Sequence, residues 1–98
     1  MRQAARVDAN QSPIIAGLRK AGCTVEVIGK PLDLLVGRAG LNYLLEVKNA
    51  SGRDQIEPGQ AKFLREWNGQ AAVVHSLQDA LAVVGLMKAD DSKHISHC

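Results

Sequence analysis

The sequence predicts an α/β domain: a mixed four-stranded sheet flanked by helices, in the order α-β-β-β-α-β-α. Two stretches of helical period enclose short β-branched runs, and a third follows them. Two of those runs are separated only by Gly37-Arg38-Ala39-Gly40, a hairpin spacing. The last run follows a helix that Pro58 opens, so it returns parallel to the strand before that helix.

The first helix places Ile14, Ile15 and Leu18 on one stripe and Arg19 and Lys20 at the carboxyl end, with Gly22 as a stop. Its start has two candidate signals: Asp8 with Gln11, which resembles a capping box, and Ser12-Pro13 as N-cap and first turn. A start near Asp8 is favoured, with Pro13 tolerated in the first turns. Cys23 to Ile28 alternates and is β-branched, so it is a strand. Asp33 to Val36 and Leu41 to Val47 form the hairpin, with Arg38 and Ala39 as turn residues. Asn49 to Ile56 is a polar loop. From Pro58, a helix buries Gln60, Phe63, Leu64 and Trp67 and ends at Gly69. Ala71 to His75 is a strand. Ser76, with Asp79 at N3, caps a last helix that runs through Leu81 and Val84 to Gly85. Residues 1–86 make one domain and 87–98 a polar tail.

At 98 residues the chain has room for a single small core. Hydrophobic residues at 46% exclude a disordered chain, and aromatics at 3% argue against a platform of stacked bases. A net charge of +2 permits a nucleic-acid partner without demanding one. Cys23 and Cys98 make no disulfide framework. No run approaches a membrane span, and the amino-terminal MRQAARVDANQ lacks a secretory h-region. A soluble cytoplasmic protein is expected.

The hairpin carries the chemistry. A turn at Arg38-Ala39 pairs 33 with 44 and puts Asp33, Leu44, Glu46 and Lys48 on one face. Glu46 is then the diagonal neighbour of Asp33, roughly 7–8 Å away. Two carboxylates at that spacing can share a divalent cation, and the Val47 carbonyl between Glu46 and Lys48 can add a third oxygen. Such a cation and the Lys48 ammonium suit phosphodiester hydrolysis, which needs a polarised phosphoryl oxygen and stabilised charge. The bland reading is also open. A Glu-x-Lys triplet arises by chance in roughly a third of chains this long, and an exposed Glu–Lys pair is only a weak surface ion pair.

The stretch GKPLDLLVGRAGLNYLLEVKNAS resembles the core of the PD-(D/E)xK nuclease superfamily, whose fold is the restriction-endonuclease-like αβββαβα core. With VDANQSPIIAGLRKAG, EPGQAKFLREWNG and AVVHSLQDALAVVG, the chain from about Val7 to Gly85 is similar to stand-alone VRR-NUC nucleases of phages and bacteria. The resemblance implies Asp33 and Glu46 as metal carboxylates, Lys48 as the catalytic lysine and Mg²⁺ or Mn²⁺ as cofactor. It also implies a homodimer acting on branched DNA such as four-way junctions, inside a bacterial cell or a phage's host. Two departures stand out: Leu32 separates Pro31 from Asp33, and Gln11 occupies a position where many members carry Glu. On the inward stripe, Gln11 offers an amide oxygen towards the metal site but no charge.

Gln60 matches a family glutamine that orients water or the lysine; its alternative role is N3 capping. Arg53, Lys62 and Arg65 can grip phosphates or be plain solvated surface, and Lys30 and Arg38 beside the hairpin are equally open. Trp67 reads as core, packed on Phe63 and Leu64. His94, His97 and Cys98 form a zinc-like set in a polar tail. The expected activity is a metal-dependent DNA endonuclease. The rivals are a non-catalytic DNA-binding module on the same fold and a small interaction domain.

Overall fold

The computed structural model describes residues 10–49 and 56–87. The elements follow the expected order: α1 (Gln11–Lys20), β1 (Thr24–Val27), β2 (Leu34–Arg38), β3 (Leu41–Val47), α2 (Pro58–Glu66), β4 (Ala71–Val74) and α3 (Leu77–Val83). The sheet order is β1-β2-β3-β4, antiparallel except for the parallel β3–β4 pair. The parallel return follows from the α2 crossover, which carries the chain back to the starting end of the sheet.

One face of the sheet holds the core. Val25, Leu34, Val36, Tyr43, Leu45, Val47 and Val74 pack there against Ile14, Ile15 and Leu18 of α1 and Ala80 of α3. Gly17 lets the two helices approach, because a Cβ at that position would collide with the Leu77 side chain. Helix α1 starts at Gln11, with Asn10 as N-cap. The start therefore lies between the two expected signals; Asp8 falls outside the described residues. Pro13 sits in the first turn, where its missing N–H would have no helical partner in any case.

Several sequence expectations are corrected. The hairpin turn is Ala39-Gly40, with Arg38 paired to Leu41. Both turn residues have positive φ, 52° and 82°, as a two-residue type I′ turn requires. Using Gly40 there spares Arg38 from a left-handed backbone. The first strand is shorter than Cys23 to Ile28, and β2 begins at Leu34 rather than Asp33. The Asp33 carbonyl instead accepts the Ile28 and Gly29 N–H groups at 2.9 and 3.2 Å, closing the β1–β2 loop.

Helix α2 buries none of its residues. Trp67 is 48% exposed rather than core, although its ring does stack on Phe63 with centroids 5.0 Å apart. Gln60 of α2 reaches Glu46 on the second face of the sheet, and the apolar stripe of the helix stays partly open. The α3 cap is as expected: Ser76 Oγ accepts the Asp79 N–H at 3.0 Å. Residues 88–98, with His94, His97 and Cys98, lie outside the described residues, as does Arg53. No helix among the described residues is long and apolar enough to cross a membrane.

Candidate metal and phosphodiester site

The two-residue change of register keeps parity and changes the partner. Leu34 pairs with Leu45, so the next step outward sets Asp33 opposite Glu46 rather than Leu44. Directly opposed side chains on one face stand closer than diagonal ones, with Cβ atoms about 4.5–5.5 Å apart. Leu32 and Leu34 are fully buried on either side of Asp33 and hold it in this phase. The Asp33 carboxylate is tied to the hairpin by the Val47 N–H, which reaches Oδ2 at 2.8 Å. In a strand the N–H and C=O of one residue point to the same edge. The Val47 carbonyl is therefore turned to the side of β3 on which Asp33 lies.

Glu46 is 3% exposed, an unusual position for a carboxylate. Its Oε2 lies 3.3 Å from Lys48 Nζ, and its Oε1 is buried with no hydrogen-bond partner. Burial first, and the Asp33 charge second, push the Glu46 carboxyl above its ordinary range; Lys48 and the Gln60 amide pull the other way. Gln60 thus reaches Glu46 from α2, across the face opposite to Leu45 and Val47. Its Oε1 also accepts the Glu57 N–H at 3.4 Å as part of a capping box. The capping role of Gln60 is therefore present, and the same side chain also reaches Glu46.

The amino-terminal end of α1 closes the site from the core side. Asn10 Nδ2 donates to the Lys48 carbonyl at 2.7 Å, and the Lys48 N–H donates to Val74 O at 2.9 Å. Gln11 is 4% exposed, on the inward stripe as expected. Asn10 was not singled out from the sequence; its position one residue before the helix is the signal that marks it as an end-of-helix polar contact.

The donor set suits a hard divalent cation. Asp33, Glu46 and the Val47 carbonyl offer oxygen alone, and the solitary Glu46 Oε1 is a buried acceptor that a cation would satisfy. Among the described residues no group of three or more His, Cys, Asp or Glu could hold a metal. Two acids with backbone oxygen and water are nevertheless a common way to hold Mg²⁺.

The remaining basic residues divide between structural roles and solvent. Arg38 Nη1 donates to Val84 O at 2.9 Å and so caps the end of α3. Lys62 pairs with Glu66 at 3.6 Å on the exposed side of α2, and Lys30 and Arg65 are exposed. No family model, curated protein or solved structure matches the chain.

Proposed function

We propose that this chain is a divalent-metal-dependent DNA endonuclease of the PD-(D/E)xK type, similar to the small VRR-NUC nucleases, acting as a homodimer on branched DNA. The observation that carries the reading is Glu46: a buried carboxylate beside Asp33 and Lys48, with one oxygen left for a ligand. Burial of that carboxylate costs stability, which Lys48 and Gln60 offset in part and a bound cation would offset further.

In this reading Asp33, Glu46 and the Val47 carbonyl hold Mg²⁺ or Mn²⁺, which supplies Lewis-acid polarisation of the phosphoryl oxygen when bound. Lys48 stabilises negative charge that develops on the phosphoryl oxygens. Its ammonium is oriented by Glu46 Oε2. Gln60 steadies Glu46 from α2, and Asn10 fixes the Lys48 backbone.

A second reading has one observation in its favour. Gln11 is a neutral residue where the resembling nucleases often carry an acid, which lowers the charge available to a cation. That supports a DNA-binding module without turnover. Incubating single-stranded, duplex, flap and four-way-junction DNA with wild type and Glu46→Ala, with and without Mg²⁺ or Mn²⁺, separates the two. Metal-dependent cleavage lost in Glu46→Ala is expected. Salt-dependent binding without cleavage selects the module.

A further inference from the structure

Lys48 is the first residue past β3, and its backbone is held from two different elements. Its N–H continues the parallel ladder onto Val74 O at 2.9 Å. In such a ladder the carbonyl of the same residue would take the N–H two positions further along the neighbouring strand, here that of Ser76. By that point β4 has ended at Val74, and Ser76 is the N-cap of α3. The donor comes from α1 instead. Asn10 Nδ2 reaches the Lys48 carbonyl at 2.7 Å, between residues 38 positions apart in the chain.

Asn10 forgoes its usual role to make this bond. It is the N-cap of α1, where an asparagine ordinarily accepts an N–H from the first turn of the helix. Here its backbone is helical, with φ −81° and ψ −23°, and its side chain makes no capping bond. An extended backbone is what normally brings the side chain over those N–H groups. The stability of α1 alone would favour the capping arrangement. What the observed arrangement gains is a fixed peptide at Lys48, two residues from the buried Glu46.

We infer that Asn10 is a positioning residue whose amide, by holding the Lys48 carbonyl, sets the rate of cleavage from the start of α1; the inference rests on the nuclease reading of Asp33, Glu46 and Lys48. The Lys48 side chain is a flexible four-carbon stem, so where its nitrogen can reach depends on a fixed Cα. Glu46 Oε2 holds the far end of that stem at 3.3 Å, and Val74 and Asn10 hold the near end. Releasing the carbonyl lets the peptide after β3 turn and carries the stem with it. A displacement of about 1 Å at a reacting group can cost about 10²-fold in rate. Neither the Asp33 and Glu46 carboxylates nor the Val47 carbonyl is bonded to Asn10, so the proposed metal ligands stay in place.

Two variants separate positioning from stability. Asn10→Ser supplies a good N-cap but is too short to reach the Lys48 carbonyl, whereas Asn10→Gln keeps the amide donor without being a favoured cap. Both are compared with wild type and Glu46→Ala in single-turnover cleavage with Mn²⁺. DNA affinity is read by anisotropy in EDTA, Mn²⁺ affinity by calorimetry, and the Lys48 carbonyl by its carbon-13 shift. Asn10→Ser should lose about 10–10²-fold in rate, with both affinities unchanged and a Tm near that of wild type. Asn10→Gln should cleave faster than Asn10→Ser. The carbonyl shift should move in Asn10→Ser and stay close to wild type in Asn10→Gln. Full cleavage by Asn10→Ser beside an inactive Glu46→Ala overturns the role of Asn10 and leaves the nuclease standing. Rates that follow Tm across the variants, or an unmoved carbonyl shift in Asn10→Ser, overturn it equally. A wild type that cleaves no DNA overturns both.

Discussion

Glu46 is held in a state that favours its proton. Burial and Asp33 raise its carboxyl above the ordinary carboxylate range, so the folded chain binds that proton more tightly than the unfolded chain. The sign of the linkage follows: stability falls as pH rises from the unfolded value through the raised folded one, and stays lowered above it. Glu46→Gln should therefore melt higher than wild type at pH 7, with the gap closing towards pH 4, as calorimetric melts would show. Added Mn²⁺ should raise the wild-type Tm and leave that of Glu46→Gln nearly unmoved.

On the proposed nuclease reading, Lys48→Ala should abolish cleavage while preserving that metal response, because Lys48 supplies charge and no ligand oxygen. Gln11→Glu puts a third acid on the buried stripe of α1. It should lower the Tm in EDTA and tighten Mn²⁺ binding by titration calorimetry. Unchanged affinity would place residue 11 outside the cation's reach.

The β2–β3 hairpin is the element that assembles the site, and its turn has a flaw that can be repaired. Ala39 adopts φ 52° although only glycine takes that region at little cost. Ala39→Gly should stabilise the chain by about 0.5–1 kcal/mol in urea melts without altering the register. Gly40→Ala should do the reverse. Between α1 and α3 the opposite rule holds. Gly17→Ala improves helix propensity by about 1 kcal/mol, yet its methyl would displace Leu77. Overpacking of this kind costs about 1–3 kcal/mol, so a net loss of Tm is expected.

For the whole molecule, the two faces of the sheet are unequal. The face under α1 and α3 holds the buried core, whereas Leu35, Leu44 and Val73 on the other are only half buried, and Trp67 just past α2 is about half exposed. On the proposed reading, a single small domain carries one such site, and matched nicks in a four-way junction need two, which a two-fold dimer supplies. Light scattering at assay concentration should read twice the chain mass. A monomer that still makes paired cuts in a junction would rule out the dimer.

The order of elements, the parallel return of β4, the Ser76 cap and the shared face of Asp33, Glu46 and Lys48 were all legible in the sequence. Each depends on local spacing: a period of two or 3.6, a proline at a helix start, a hydroxyl before a helix. Parity survives a register change of two residues, and so the face was readable while the partner was not. Which two residues of Gly37-Arg38-Ala39-Gly40 form the turn is decided by backbone energetics across both strands, and that choice moved Glu46 from the diagonal to a place directly opposite Asp33. Tertiary packing alone left Trp67 in solvent, since helical period marks an apolar stripe without saying whether anything covers it. Spacing along the chain determines which face a side chain takes; only the folded sheet, by satisfying hydrogen bonds between strands, determines which side chain it meets.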